Sequence, residues 1–123
     1  MSKIQTVAVL GASHKPERYS NRALKILLEK GHRVIPVHPK RETIEGLPVV
    51  HRLSDIQDPV DTLTLYIGPE RQRTIMDDII ALHPGRVIFN PGSESQMLQE
   101  KLLKSDIPYL EACTILLLQT NQF

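Results

Sequence analysis

The chain has 123 residues, 41% of them hydrophobic and 24% charged, and its formal net charge is +1. This length and composition predict one globular domain over residues 1–123. The small net charge and the few aromatic residues disfavour a nucleic-acid-binding surface, which needs a basic surplus and stacking platforms. The single cysteine excludes a disulfide within the chain, and no apolar run approaches the roughly 20 residues of a membrane span. We therefore expect a cytoplasmic protein with no membrane partner.

Short apolar strands alternate with helical patterns along the chain. The apolar run 6–10 predicts a buried strand that ends at Gly11. Ser20 or Asn21 is expected to cap the following helix, which Gly31 ends. Further strands are predicted over 33–37, 47–50, 61–67, 86–89 and 107–110, and further helices over 75–82, from 96 onward and over 112–118.

Two finer predictions concern loops and caps. Residues 40–45 are polar and are expected to form a loop, and 47–50 an edge strand because Pro48 cannot donate to a ladder. Ser93 and Gln96 have the spacing of a capping box at the start of the next helix.

The alternation of strands and helices predicts an α/β fold. Its sheet is expected to be parallel and doubly wound, Rossmann-like, with about five strands in a single domain. In such folds a ligand lies beyond the carboxyl ends of the strands, near the point where the strand order reverses. The loops that follow the strands are therefore the candidate site.

The loop after the first strand has features of a phosphate site. Gly11 allows a close backbone approach, and Ala12 and Ser13 keep the loop small. The helix start that follows has free N–H groups, and Lys15 and Arg18 can add positive charge. The spacing lacks the glycines of the dinucleotide fingerprint. The alternative is an ordinary loop with solvated charges.

The loop after the second strand disfavours NAD. An Asp or Glu usually binds the ribose hydroxyls there, but this chain has Val37, His38 and Pro39. His38 with Lys40 and Arg41 leaves an NADP site open, although a turn residue without a role is the simpler interpretation. Val37 and Pro39 could form an apolar wall for a flat base.

The turn Asn90, Pro91 and Gly92 precedes a second helix start that faces the same cleft. Glu94, in the first turn of that helix, is expected to complement the helix dipole. The alternative is that this turn and the Asn90 side chain line a pocket for a pantetheine-like arm.

Catalytic and metal chemistry lack the patterns they need. Cys113 stands before the terminal segment, where a helix start could lower the pKa of its thiol, but a buried apolar role is more common for a single cysteine. The five histidines show no metal-ligand spacing, and there is no nucleophile elbow or Walker motif. We expect no catalytic residues and no metal.

Five segments in this order carry a family resemblance: VAVLGAS, KPERYSNRA, GHRVIPVHP, IFNPGSES and EACTILLL. Together they resemble the small stand-alone CoA-binding proteins, which are similar to the CoA-binding domain of the succinyl-CoA synthetase alpha subunit. The resemblance implies that the CoA phosphates contact five residues of the first loop: Gly11, Ala12, Ser13, Lys15 and Arg18.

The resemblance also places the rest of the ligand. The adenosine would lie beside Val37, His38 and Pro39, where His38 replaces the usual Asn of the family. The pantetheine path would be flanked by the turn after strand 61–67 and by the turn at residues 90–92. The chain is too short to contain the ligase domain with the phosphorylated histidine, so the resemblance implies binding and not ligase chemistry.

We therefore predict a binder of CoA or an acyl-CoA that acts as a non-catalytic sensor, carrier or regulatory module. Three alternatives stay open: an NAD(P)-linked oxidoreductase, a redox module in which Cys113 forms a mixed disulfide with CoA, and an interaction module with a vestigial cleft. The sequence identifies neither the acyl group nor a protein partner.

Overall fold

The central strand of the protein forms because residues Val7 to Leu10 are all apolar and can be buried on both faces of a sheet. The computed structural model describes residues 3–123, so Met1 and Ser2 of the predicted domain lie outside the described residues. In chain order the elements are β1 (Thr6–Leu10), α1 (Tyr19–Glu29), β2 (Arg33–Val37), β3 (Thr43–Ile44), β4 (Leu47–Pro48), β5 (Thr62–Leu65), α2 (Pro69–Gln72), α3 (Met76–Leu82), β6 (Arg86–Phe89), α4 (Gln96–Lys104), β7 (Tyr109–Glu111) and α5 (Thr114–Gln119).

Five strands form one parallel sheet in the order β2-β1-β5-β6-β7. The chain runs outward from β1 to β2 and then returns to the other side of β1 with β5. The strand order therefore reverses at β1, and the crevice lies between the carboxyl ends of β1 and β5. The predicted Rossmann-like α/β fold, with about five parallel strands in a single domain, is confirmed.

The two faces of the sheet bury separate cores, as the alternation of side chains along β1 requires. Val7 and Val9 pack with side chains of α1 and α5 on one face. Ala8 and Leu10 pack on the other face, with side chains of α3 and α4. Each helix runs back across the sheet, so the helices begin at the carboxyl edge of the strands, where the crevice lies.

The segment after β2 differs from the prediction of a loop and an edge strand. Strands β3 and β4 form an antiparallel hairpin, joined by Glu45 and Gly46 at φ 50° and 77°. Two positive φ values in a two-residue turn match the twist of a hairpin, which is why so short a ladder can close. Ile44 is 1% exposed and packs the hairpin against α1. Beyond the hairpin, Val50 pairs with the end of β2 in an isolated bridge.

Both predicted helix caps are wrong. The first helix begins at Tyr19, and Arg18 is its cap residue without a side-chain cap bond, so Ser20 and Asn21 lie inside the first turn. Helix α4 is capped by Ser95, whose Oγ accepts from the Leu98 N–H at 3.2 Å. The Ser93 hydroxyl donates instead to the Asn90 carbonyl at 2.7 Å, which tightens the preceding turn.

Other boundaries move by a few residues. The strand predicted over 61–67 is Thr62–Leu65, and the last strand is Tyr109–Glu111 instead of 107–110. The short helix Pro69–Gln72 was not predicted, because one turn that begins with Gly68 and Pro69 resembles a loop. Among residues 3–123, every helix is too short or too polar to cross a lipid bilayer.

The observed cap of α4 predicts a stability effect. Replacing Ser95 by alanine removes the acceptor for the Leu98 N–H and should lower the free energy of unfolding by about 1 kcal/mol. The melting temperature should fall by about 4 °C, measured by thermal unfolding. The control is Ser105→Ala at the other end of α4, where the hydroxyl has no hydrogen-bond partner within residues 3–123. Its melting temperature should change by about 1 °C at most. Equal melting temperatures for both variants would contradict the cap.

Candidate functional site

The crevice between β1 and β5 begins with a turn in which two protein segments touch. Gly11 has φ 87°, and a Cβ built on it would lie 2.8 Å from Ile67 Cγ2 and 3.0 Å from the Tyr66 carbonyl oxygen. The glycine is therefore required by the close packing of the loop after β1 against the chain after β5. A side chain at this position would therefore meet the protein itself.

The start of α1 is a site of positive potential. Within residues 3–123, the backbone N–H groups of Tyr19, Ser20 and Asn21 make no hydrogen bond, and Arg18 provides no side-chain cap. Unbonded N–H groups and the helix dipole together favour an anion at this point. The helix has 11 residues, which is long enough for the dipoles of several turns to add.

Two cations stand beside this helix start. Lys15 and Arg18 are exposed, and neither forms an ion pair with a described residue. Their backbones are held by a tight turn, in which the Arg18 N–H donates to the Lys15 carbonyl at 3.1 Å and the Lys15 N–H to Ser13 Oγ at 3.1 Å. Both charges are thus near the free N–H groups and available to a ligand.

Asn21 connects this loop to the β3–β4 hairpin. Its Nδ2 donates to the Ser13 carbonyl at 2.9 Å and to Glu45 Oε2 at 3.1 Å. The residue is fully buried and its Oδ1 has no partner within residues 3–123. The buried Asn21 side chain therefore joins the hairpin to the loop after β1. Ser20 is also buried, so only its backbone faces the crevice.

His38 holds the turn after β2. Its Nδ1 accepts from the backbone N–H groups of Lys40 and Arg41 at 3.0 and 3.1 Å. An Asn side-chain oxygen makes the same contacts two and three residues ahead of itself in many turns. The imidazole of His38 therefore holds this turn in the way an Asn side chain holds such turns.

The surroundings of His38 are positively charged. Partial burial lowers the pKa of His38 below its ordinary 6.5, and the nearby charges of Arg41, His14, Arg71 and His51 lower it further. These four groups come from the loops after β1 and β2, from α2 and from the segment beyond the hairpin. Basic side chains from several elements therefore lie near His38, in a chain whose net charge is only +1.

The predicted apolar wall is only partly available. The Val37 side chain is 3% exposed and packs in the core, whereas Pro39 is exposed beside the turn. Ala12 is 2% exposed, and its N–H donates to the Val37 carbonyl at 3.3 Å. Of these residues, Pro39 is the one whose side chain can contact a base directly.

Asn90 ties three elements together under the crevice. Its Nδ2 donates to Thr64 Oγ1 at 2.7 Å and to the Leu65 carbonyl at 2.9 Å, and its Oδ1 accepts from the Thr114 N–H at 2.9 Å. It is 2% exposed, so its side chain supports the turn from below instead of lining a pocket. Pro91 and Gly92, which follow it, are exposed at the crevice.

Glu94 completes that turn. Its Oε1 accepts from the Gly92 N–H at 2.8 Å, so the carboxylate closes the loop on itself ahead of α4. The prediction that Glu94 lies in the first turn of the helix is wrong, because α4 begins at Gln96 after the Ser95 cap and its first turn has no acidic residue.

Sequence reasoning missed two residues of this region. Tyr66 follows β5, and burial raises the pKa of its hydroxyl to about 12. Gln72 is fully buried in α2, between the loops after β5 and β6. The run Glu70 to Arg73 is polar throughout, so nothing in its pattern distinguishes the one buried member.

Cys113 lies at the start of α5 and is half-buried and free. It stands at the carboxyl edge, close enough to Tyr66 to act on the pKa of that phenol. The thiol is thus on the β7 side of the crevice, away from the β2 side where the basic groups converge.

Three cavities of the protein lie away from the loop after β1. One of about 580 Å³ runs beside the β2 edge and is lined by residues such as Leu28, Ile35 and Ile56. One of about 520 Å³ lies between α4 and β7, and one of about 230 Å³ lies near Phe123. None of these three includes a residue of the segment 11–18.

The lowered pKa of His38 predicts a pH effect on stability. The folded protein resists protonation of His38, so below pH 6.5 the unfolded chain binds more protons and stability falls as the pH falls. His38→Asn keeps an acceptor for the turn and removes this titration. We expect its melting temperature to fall less than that of the wild type between pH 7.5 and 5.5, measured by thermal unfolding.

His32 provides the internal control for this experiment. Burial and Lys30 also lower its pKa, and it is unchanged in the His38→Asn protein. Both proteins should therefore still lose some stability on acidification. An identical loss in both would show that His38 is not the group responsible.

The fold and this edge define an α/β domain of the Rossmann-like class. The sequence profile of a family described as a CoA binding domain matches residues 5–119. The chain therefore belongs to this family, as the resemblance at sequence level predicts.

Similar proteins support the same fold over the whole chain. A crystal structure of an uncharacterized protein is 35% identical with TM-score 0.93, and the match covers 99% of this chain and 100% of that one. The cell-free ID.343 protein from Thermus thermophilus is 30% identical with TM-score 0.89, covering 98% and 91%. YneT of Bacillus subtilis is 25% identical over 80 residues, which are 65% of this chain and 59% of the length of that relative.

Proposed function

We propose that the protein binds coenzyme A or an acyl-CoA across the carboxyl edge of its sheet and acts as a non-catalytic sensor, carrier or regulatory module. Membership of the CoA binding domain family supports the ligand class. The proposal concerns the domain itself, and the activity of any longer assembly is not part of it.

One observation carries the proposal: α1 starts at the carboxyl edge of the sheet with unbonded N–H groups, beside the exposed residues Lys15 and Arg18. CoA has a pyrophosphate and a 3′-phosphate, so it brings several negative charges to one site. The free N–H groups of the helix start can donate to a pyrophosphate, and Lys15 and Arg18 add two positive charges beside them. The remaining basic groups, around His38, suit a phosphate on the ribose.

The topology supports a position for each part of the proposed ligand. In doubly wound folds the adenosine lies at the end of the second strand, which here means beside His38 and Pro39. The pantetheine arm would then cross the crevice toward Gly68 and Gly92, where two glycines remove side chains from its path. Any acyl group would end on the side of β7.

The absence of a catalytic role is part of the proposal. The buried amides and hydroxyls under the crevice, such as Asn90 and Thr64, are hydrogen-bonded to other protein groups and are not acid–base groups near neutral pH. Tyr66, with a pKa of about 12, stays protonated at neutral pH and is a poor general base. These groups support a binding site better than a reaction centre.

The alternatives predict different ligands. An NAD(P)-linked oxidoreductase would need a ribose-binding acid or a 2′-phosphate site at the end of β2, and only the second is compatible with His38 and Arg41. An interaction module with a vestigial cleft would bind no nucleotide at all.

Isothermal titration calorimetry with CoA, acetyl-CoA, NAD, NADP and ATP tests the proposal. We expect binding of CoA or acetyl-CoA and none of NADP at the same concentrations. Tighter binding of NADP would favour the oxidoreductase, and no binding of any ligand would favour the interaction module. Purified protein that converts acetyl-CoA to products without a partner would contradict the non-catalytic role.

A further inference from the structure

Gln72 joins the two loops that form the far side of the crevice. Its Nε2 donates to the Ile67 carbonyl at 2.9 Å and to the Ser93 carbonyl at 2.6 Å. Ile67 follows β5 and Ser93 follows β6, so one amide bridges the loops that leave neighbouring strands. The side chain is fully buried and does not reach the surface of the crevice.

The bridge sets a narrow separation. A Cβ built on Gly68 would lie 3.9 Å from the Gly92 carbonyl oxygen, so the two loops nearly touch above the amide. The Gln72 N–H also donates to the Gly68 carbonyl at 3.2 Å, which holds the first loop on the same short helix. Gly68 thus bonds directly to this turn of helix, and Gly92 is next to Ser93, whose carbonyl accepts from the Gln72 side chain.

A role in stability alone does not explain this residue well. Within residues 3–123 the Gln72 Oε1 is buried and has no partner, and a buried acceptor without a donor costs free energy. An apolar side chain of similar size avoids that cost but leaves the Ile67 and Ser93 carbonyls without this donor. What only the amide provides is a pair of directed bonds that fix the distance between two carbonyl groups.

From this geometry we infer that Gln72 is a positioning residue for the pantetheine part of the ligand. It sets the spacing of the loops at Gly68 and Gly92 without touching the ligand. The inference rests on the proposed CoA binding and adds one statement to it: adenosine and pantetheine are bound by separately held halves of the crevice. The β2 half does not depend on Gln72.

The two halves can be separated with a ligand fragment. Adenosine 3′,5′-bisphosphate has the adenosine, the 3′-phosphate and the inner phosphate of the pyrophosphate, but neither the outer phosphate nor the pantetheine. We expect Gln72→Met, which keeps the length of the side chain and removes both bonds, to weaken CoA binding about tenfold and leave binding of the bisphosphate unchanged. Calorimetric titration of both ligands into wild type and variant measures the ratio.

Thr62→Val is the matched control. Thr62 is fully buried at the amino end of β5, and its Oγ1 also makes two side-chain hydrogen bonds, to Gln5 Oε1 at 2.6 Å and from Arg86 Nε at 2.9 Å. The variant should lose stability without any change in the ratio of the two affinities. If Gln72→Met does not fold, Gln72→Asn keeps a buried amide that is too short to bridge both carbonyl groups and should give the same selective loss.

The outcomes are distinct. An equal loss of both ligands, or no loss of either, would overturn the positioning role while the wild type still binds CoA. A wild-type protein that binds neither ligand would overturn the proposed function, and this result is known before any variant is measured.

Discussion

Replacing Lys15 and Arg18 together by alanine is expected to weaken CoA binding by about 10- to 100-fold while the melting temperature stays almost unchanged. Both side chains are exposed and form no ion pair with a described residue, so the folded protein loses no internal contact. The ligand loses two cations beside the free N–H groups of α1. Calorimetric titration of CoA into wild type and double variant measures the loss.

The salt concentration and a double variant far from the site provide the controls. Contacts between exposed charges are screened, so the difference between wild type and variant should shrink as the salt concentration rises. Lys101→Ala with Lys104→Ala makes the same change in net charge in the last turn of α4, at the opposite edge of the sheet. Equal losses for the two double variants would show that only overall charge matters, and no loss for Lys15 and Arg18 would move the phosphate site elsewhere.

The fold could be predicted because its central strands are buried on both faces. Such strands appear in the sequence as short apolar runs between glycines and prolines, as at residues 6–10 and 86–89. The hairpin β3–β4 could not be predicted in this way. Its turn places Glu45 at positive φ, where Asn or Gly is usual, and the contact of Glu45 with Asn21 is a long-range one.

The charged residues of the candidate site could be predicted from the sequence, but the contacts of its buried side chains could not. Exposed residues such as Lys15 and Arg18 follow directly from the position of the loop after β1. The roles of Asn90 and Gln72 depend on partners that are distant in sequence, up to 26 residues away in the bond to Thr64. The sequence does not show whether an Asn is buried or exposed. Only the structure distinguishes an Asn that lines a cleft from one that supports it.

Gly11 gives the second large effect, on stability. Gly11→Ala should lower the free energy of unfolding by about 3 kcal/mol and the melting temperature by about 10 °C. Two costs add: an alanine at φ 87° is strained, and its Cβ would stand 3.0 Å from the Tyr66 carbonyl oxygen. The Ile67 methyl at 2.8 Å can rotate away, but the Tyr66 backbone is held by the Tyr66 N–H bond to the Leu10 carbonyl at 2.9 Å.

Gly31 separates these two costs. It has φ 85°, almost the same backbone strain, but a Cβ there would meet nothing within 4 Å. Gly31→Ala should therefore lose only the strain component, about 1–2 kcal/mol. The excess loss in Gly11→Ala measures how tightly the first loop is packed against the chain after β5. If both variants melt at the same temperature, the contact at Tyr66 is not a constraint, and Gly11 is required for its backbone conformation alone.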